Sequence, residues 1–257
     1  MTTATVPMPD PRKGWRRHRY NLGLLDTTPT DQFARGGIAA LAKPLDVRVV
    51  VLPADPEATS VVPLDGEADT WLSTERPSPY GGRQIPWGHT NHASSHALAR
   101  ATSYRDDELW DRYVAVHRHG GIEAGHARVS WEVHNRKAFA LRQAVATIWV
   151  ALALQVEAAE RWSVAGPWEI TLALRATSGA TLGDFAEGWA QVGDLNHGGQ
   201  TCGEPSILHR WEVDVVVPEA IALDAGARLE NSFGTTHRRH IAHRGDFEGR
   251  FDPRFGW

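Results

Sequence analysis

KAFALRQAVATIWVALALQVEAAER, residues 137 to 161, is the stretch of this sequence that decides the fold. It is rich in Ala, Leu and Gln, contains neither Gly nor Pro, and is too long for a strand, so it predicts a long central helix. Its most apolar part, residues 144 to 156, is followed at once by charged residues. That part is too short to span a bilayer and fits a buried core helix.

Several segments on either side of this helix have the composition of strands. Asp46 to Pro53 is β-branched, Trp168 to Thr177 alternates between polar and apolar residues, and Leu208 to Val217 predicts a further strand. Arg112 to His119 and Ala127 to Val133 also alternate, and the glycines between them favour a hairpin. Because these strands occur in adjacent pairs as well as in alternation with helices, we predict an α+β fold. Its mixed, largely antiparallel sheet packs against the long central helix.

Weaker signals predict the remaining elements. Asn91 to Arg100 is consistent with a helix that is capped at its start, and Thr181 to Gln191 with a short helix. Pro218 begins a helix that ends near Ser232, since Pro favours the first helical position and Gly234 follows as a cap. Two segments are predicted as loops: residues 54 to 70, with a short strand near Val62, and residues 75 to 87.

Composition indicates a globular protein in a reducing compartment. The chain has 257 residues, of which 42% are hydrophobic and 23% charged, so it can bury a sizeable core. Its single cysteine, Cys202, cannot form an internal disulfide, which favours the cytoplasm. Residues 1 to 14 lack the apolar segment of a secretory signal and are expected to be a flexible leader. Residues 15 to 257 are expected to form a single α+β domain, with any subdivision near residues 75 to 90.

The overall charge restricts the class of partner. A net charge of -4 gives the chain no general attraction to nucleic acid or to anionic membranes, so we expect no membrane partner. Eleven tryptophans exceed what is usual at this length. Tryptophan side chains serve mainly in core and interface packing, and sometimes as stacking platforms for bases or sugars. A protein partner is therefore expected, and nucleic acid would have to bind locally.

The first candidate metal site consists of His89, His92 and His96. On the predicted helix, these positions fall within about 60° of arc, so the three imidazoles would share one face. Neutral imidazole is a common ligand of transition metals. The pattern lacks the glutamate of the zinc-protease helix motif, and the alternative interpretation is a solvated polar face.

The candidate catalytic residues are His117, His119 and Glu123, in and after the sequence HRHGG. A His-x-His pair at the end of a strand directs both rings to one side, and several metal hydrolases begin their site in this way. The alternative is a polar strand face beside a glycine-rich turn. No spacing in the sequence identifies the distant ligands that such an enzyme also needs.

The C-terminal tail, residues 236 to 257, reads THRRHIAHRGDFEGRFDPRFGW. Arginines interleaved with aromatic residues can combine phosphate contacts with base stacking. The predicted binding residues are Arg238, Arg239, Arg244, Arg250 and Trp257. Nearby acidic residues offset much of this charge, and the spacing of four between Phe247, Phe251 and Phe255 is equally typical of a helix face docked on a core.

The order of segments in the second half of the chain resembles a known group of proteins. HGGIE, VAGPWEITLALRAT, LGDFAEGWA, ILHRWEVD, RLENSFG and HRGDFEGRFD follow one another between residues 119 and 252. Over about residues 115 to 257 this order resembles the C-terminal region of actinobacterial proteins with a Schlafen-like AlbA_2 DNA-binding domain. The resemblance does not extend to that domain itself, since residues 1 to 110 lack its pattern. It implies a regulatory or defence-related bacterial protein and assigns no catalytic residue.

Three functions are compatible with these observations. The first is a non-enzymatic bacterial interaction or regulatory module, which contacts a partner through Trp-rich faces and the tail. The second is a metal-dependent hydrolase or nuclease that uses the histidine clusters, and the third is nucleic-acid binding through the tail. The sequence contains no P-loop, no Gly-x-Ser-x-Gly elbow and no dinucleotide-binding glycine motif, and it indicates no cofactor.

Overall fold

The fold belongs to the α+β class. A computed structural model describes residues 45–54, 62–77, 83–84, 90–93, 97–102, 110–133, 136–175, 177–183, 202–203 and 206–234. Within these ranges the chain forms three helices and twelve strands. The expected leader, residues 1 to 14, and the C-terminal tail lie outside them.

The main sheet contains seven strands. They are β1 (Val47–Pro53), β4 (Thr90–Ala93), β5 (Ala97–Thr102), β6 (Arg112–His117), β7 (Ile122–His126), β10 (Trp168–Arg175) and β12 (Ser206–Val213). Their order across the sheet is β12-β10-β1-β7-β6-β5-β4, and every neighbouring pair is antiparallel. The largely antiparallel sheet predicted from the sequence is confirmed.

Two smaller sheets complete the strands. The first orders β11 (Ala180–Gly183), β9 (Arg136–Ala140) and β8 (Ser130–Val133), with β9 parallel to β11 and antiparallel to β8. The second is a two-residue ladder between β2 (Arg76–Pro77) and β3 (Arg83–Gln84). The parallel β9–β11 pair gives the fold its mixed character.

Three helices pack with the main sheet. They are α1 (Gly66–Leu72), α2 (Leu141–Trp162) and α3 (Pro218–Ser232). The Asp65 carboxylate caps α1 by accepting hydrogen bonds from two backbone amides of its first turn. Pro218 lies at the start of α3, and Gly234 follows its end with φ 69°, a left-handed conformation that favours glycine. The predicted course of α3 is confirmed.

The core lies between the main sheet and α2. Side chains alternate along β1, so that Val47, Val49 and Val51 join the apolar side chains of α2 in the main hydrophobic cluster. The intervening Val50 and Leu52 form a separate buried cluster. Both faces of β1 are therefore buried, and a polar residue on its second face needs a partner.

The helix α2 is the longest in the described residues, with 22 residues. Of the helices in the described part of the chain, none combines the length and the hydropathy needed to cross a bilayer.

The predicted helix over Asn91 to Arg100 is wrong. Residues 91 to 93 lie in β4 and residues 97 to 100 lie in β5, and these two strands pair in antiparallel fashion, with Asn91 opposite Arg100. Alanine favours helices in isolation, but here β5 also pairs with β6, and its alternate alanines fit the close-packed second face of the sheet. Pairing with neighbouring strands outweighs local propensity.

The predicted hairpin has a different second strand. β6 turns back through Gly120, at φ 82°, and pairs with β7 rather than with the segment from Ala127 onward. Gly125, predicted as part of the connection, lies inside β7, where a Cβ atom would come within 2.4 Å of the Tyr113 ring. The segment from Ala127 onward contains β8, which belongs to the three-stranded sheet.

Three other element boundaries differ from prediction. The central helix begins at Leu141, because residues 136 to 140 pair with strands on both sides. Thr181 lies in β11 and not in a helix; residues 184 to 191 are outside the described ranges. The segment of residues 54 to 70 was predicted as a loop with a short strand near Val62. Instead, α1 begins within it at Gly66, and Val62 is not part of a strand.

Candidate functional site

Five polar residues form a connected cluster, which we call the Glu123 network: Arg48, Tyr113, His117, His119 and Glu123. Arg48, Tyr113, His117 and Glu123 come from the neighbouring strands β1, β6 and β7, and His119 lies in the turn after β6. Along β7, Ile122 and Ala124 join the main core, so alternation places Glu123 on the opposite face. Arg48 lies among the valines of β1. It is on the same face of the sheet as Glu123, because it is two positions from Val50, the residue opposite Glu123.

The Glu123 carboxylate is the centre of the network. Its Oε1 accepts hydrogen bonds from Arg48 Nε, at 3.0 Å, and from the Tyr113 hydroxyl. Arg48 Nη2 lies 2.9 Å from the same oxygen, and His117 Nε2 lies 3.0 Å from Oε2. Glu123 is 0% exposed and Arg48 is 2% exposed, so this ion pair is fully buried. A carboxylate with this many donors is held in one position.

The environment keeps Glu123 ionised. Burial alone would raise its pKa, but the charge of Arg48 and the contacts of His117 and Tyr113 outweigh burial and hold the pKa at about 2. Glu123 is therefore negatively charged across the physiological pH range. It can orient a donor such as His117, but it is a weak base.

The two histidines of the network lie side by side. The His117 and His119 rings are stacked, with centroids 5.2 Å apart and planes 6° apart. His119 Nδ1 accepts a hydrogen bond from the Gly121 amide at 3.1 Å, so a neutral His119 carries its proton on Nε2. A Cβ atom on residue 121 would lie 2.7 Å from His119 Cε1 and 2.6 Å from the Val51 carbonyl oxygen. Glycine at position 121 is thus needed for this ring position.

The structure brings together all three residues that the HRHGG pattern singled out. His117 and His119 share one side, as the His-x-His spacing predicts, and Glu123 contacts His117 directly. Arg48 and Tyr113 were missed. The sequence does contain an indication for Arg48. It is the single charged residue in the apolar segment VRVVVLP, and a charged side chain in a strand buried on both faces needs an ion-pair partner.

The other predicted site residues do not form a described cluster. His92 lies in β4, opposite Ala99. The predicted helix that would place His89, His92 and His96 on one face is therefore wrong. His89 and His96, like Arg238, Arg239, Arg244, Arg250 and Trp257, lie outside the described residues. Across the described part of the chain, no group of three or more His, Cys, Asp or Glu side chains is arranged to hold a metal ion.

A second buried histidine lies at the end of β7. Burial lowers the pKa of His126 to about 3, and the positive charges of Arg112 and Arg128 lower it further against the opposing effect of Asp111. His126 Nδ1 accepts a hydrogen bond from the Arg128 amide at 3.0 Å. His126 is thus a neutral acceptor that fixes the turn leading into β8.

An apolar surface borders β12, the outermost strand at one edge of the sheet that the described residues form. We call it the β12 surface and define it as Leu208, Arg210, Glu212, Val215 and Val217. Leu208 is 46% exposed, Val215 is 71% exposed and Val217 is 48% exposed, and these are the exposed large hydrophobic side chains of the described residues. Arg210 and Glu212 are exposed between them.

No protein-family model, curated protein or solved structure matches the chain.

Proposed function

We propose that the protein is a bacterial interaction or regulatory module, located in the cytoplasm, without catalytic activity of its own. Its partner is a protein, which binds at the β12 surface. A role in regulation or defence follows from the resemblance of residues 115 to 257 to actinobacterial AlbA_2-domain proteins. The single cysteine fits a reducing compartment.

The observation that carries this proposal is the exposure of three aliphatic side chains, one in the outermost strand of the described sheet and two just after its end. Outer strands are usually protected by charge, by proline or by cover, because unpaired backbone groups beside apolar side chains promote association. Leu208 lies near the start of β12, and Val215 and Val217 follow its end. An extended partner segment could pair with such a strand and cover the apolar side chains near its two ends.

The state of the Glu123 network supports a structural rather than a catalytic role. A general base acts best when its pKa lies near the working pH, and that of Glu123 is about 2. Both of its oxygens accept hydrogen bonds from protein groups. Such a network holds β1, β6 and β7 in one register, and the rigid sheet in turn presents β12.

Site-specific photo-crosslinking in living bacteria tests the proposal. A photoreactive amino acid replaces Leu208 in one variant and Glu160, an exposed residue near the end of α2, in a matched control. We expect adducts heavier than the monomer at position 208 and none at position 160. Equal yields at both positions, or no adduct at position 208, would contradict the proposal.

A second candidate function is a metal-dependent hydrolase or nuclease. The observation that favours it is the convergence of His117, His119 and Glu123 on one face of the sheet. Glu123 would hold His117 by its Nε2 atom, and the stacked imidazoles would supply ligands or a base. Metal analysis by mass spectrometry of the purified protein tests it. Stoichiometric zinc, manganese or nickel that is lost in His119→Ala would replace the non-enzymatic proposal with this one.

Nucleic-acid contact through the C-terminal tail is a separate proposal that rests on its arginines and aromatic residues. Binding through phosphate contacts weakens steeply as salt rises, because counterions are released. Absence of retention on DNA and RNA columns at low salt would refute it.

A further inference from the structure

A buried glutamine connects α2 to the turn between β6 and β7. The Gln155 side chain is 0% exposed and belongs to a stretch of α2 whose apolar residues, such as Leu154, are part of the main core. Its Nε2 donates a hydrogen bond to the Gly120 carbonyl oxygen at 2.9 Å, and its Oε1 accepts one from the Ile122 amide at 3.0 Å. A buried carboxamide needs partners at both of its ends, and here two backbone groups of one turn supply them.

The first of these hydrogen bonds is linked to His119 through a single peptide unit. That unit joins Gly120 to Gly121. Its carbonyl oxygen accepts from Gln155, and its N–H donates to His119 Nδ1 at 3.1 Å. In a trans peptide the C=O and the N–H point in opposite directions, so Gln155 and His119 hold the same planar group from its two sides.

The second hydrogen bond is linked to His117 in the same way. The peptide unit between Gly121 and Ile122 donates through its N–H to Gln155. Its carbonyl oxygen accepts from the His117 amide at 2.9 Å. Both peptide units that flank Gly121 therefore lie between Gln155 and a histidine of the Glu123 network.

The turn has no long side chain of its own to fix the backbone at these two positions. Gly120 has φ 82°, and glycine restricts the backbone less than any other residue. A Cβ atom on residue 120 would lie 2.6 Å from Val164 Cγ2, so a larger residue does not fit there. The position of the two peptide units, and of the His119 ring bonded to one of them, thus depends on hydrogen bonds from outside the turn. Gln155 supplies two of them.

We propose that Gln155 is a positioning residue for His117 and His119, and that its carboxamide couples α2, on one face of the sheet, to the Glu123 network on the other. The inference goes beyond the partner proposed for the β12 surface and does not depend on it. The competing explanation is that Gln155 only satisfies two buried backbone groups and leaves the histidines unaffected. The two explanations predict different energetic coupling between Gln155 and His119.

A double-mutant cycle with Gln155→Met and His119→Ala measures this coupling. Methionine has a similar length to glutamine but lacks the carboxamide. Because the two wild-type side chains hold the same peptide unit, their losses should not be additive. The unfolding equilibrium constant of the double variant should differ by at least about threefold from the value that independent effects give, as measured by urea denaturation and tryptophan fluorescence.

Amide hydrogen exchange, followed by NMR, gives a readout that a purely structural role would not change selectively. Gln155 does not bond to the Gly121 amide, yet Gln155→Met should raise the exchange rate of that amide by about tenfold or more relative to the amides of β10, because the peptide unit is then held from one side only. Reciprocally, His119→Ala should raise the exchange rate of the Ile122 amide, whose acceptor is Gln155. Circular dichroism checks that each variant is folded, and the reciprocal measurement tests the inference if Gln155→Met is not.

Gln143→Met is the matched control, since it makes the same change in the same helix about 18 Å away. Within the described residues the Gln143 Oε1 has no hydrogen-bond partner, so this substitution should be additive with His119→Ala and should leave the Gly121 exchange rate unchanged.

Three results would overturn the inference. They are additive losses for Gln155→Met and His119→Ala, an unchanged Gly121 exchange rate in folded Gln155→Met or an unchanged Ile122 exchange rate in His119→Ala, and equal effects from the Gln143 control. None of these results bears on crosslinking at position 208, so a failure of this inference is distinguishable from a failure of the proposed function.

Discussion

Glu123→Gln should destabilise the protein strongly, because it removes the negative charge that pairs with the buried Arg48 guanidinium. The shift of the Glu123 pKa from 4.5 to about 2 corresponds to about 3 kcal/mol of interaction in favour of the ionised form, at 1.36 kcal/mol per pKa unit. Breaking a buried ion pair from one side typically costs about 3–5 kcal/mol. The expected loss in unfolding free energy is therefore about 3 kcal/mol.

The matched control removes both charges. Arg48→Met should cost a similar amount, since it leaves the carboxylate without its counter-charge. The double variant with Glu123→Gln should recover part of the loss, because neutral groups of similar volume avoid the cost of a buried charge. Urea denaturation at pH 7, followed by tryptophan fluorescence, measures all four proteins and gives the coupling energy between the two residues.

The double-mutant cycle can refute this reasoning in two ways. A loss below about 0.5 kcal/mol for Glu123→Gln, the size of an ordinary surface change, would mean that the network does not stabilise the sheet. Additive losses in the double variant would mean that Arg48 and Glu123 act independently. In the wild type, the contribution of Glu123 is complete above pH 4.5 and is lost as the pH falls toward about 2, since its folded pKa is lowered.

Two further predictions follow from the glycine and histidine of β7. Burial lowers the folded pKa of His126 to about 3, below the usual 6.5, so its contribution to stability is complete above pH 6.5 and declines as the pH falls. Between pH 7 and pH 5 this loss is about 2 kcal/mol, and His126→Asn should remove it from the urea-denaturation profile; an unchanged profile would contradict the assignment. Gly125→Ala should cost about 1–3 kcal/mol, because the added carbon would lie 2.4 Å from Tyr113 Cε1. Gly203→Ala, which meets nothing within 4 Å, should leave the melting temperature unchanged, and an equal effect of both substitutions would refute this steric argument.

Some parts of the site could be predicted because they are close in sequence. His117, His119 and Glu123 lie within seven positions, and a strand followed by a glycine turn is enough to place them together. Arg48 is 75 residues from Glu123, and only the pairing of β1 with β7 brings them into contact. No spacing in the chain encodes that distance.

The sequence by itself determined the elements that local composition decides: the long helix α2, the strands β1 and β10, and α3 with its proline start and glycine end. Only the tertiary structure decided the residues whose local preference is weak or misleading. Residues 97 to 101, which include three alanines, form part of a strand, and residues 136 to 140 form a strand before the helix. In both cases the backbone N–H and C=O groups form hydrogen bonds with the neighbouring strands. Strand pairing is a contact between distant segments, and it outweighs propensities of a fraction of a kilocalorie per residue.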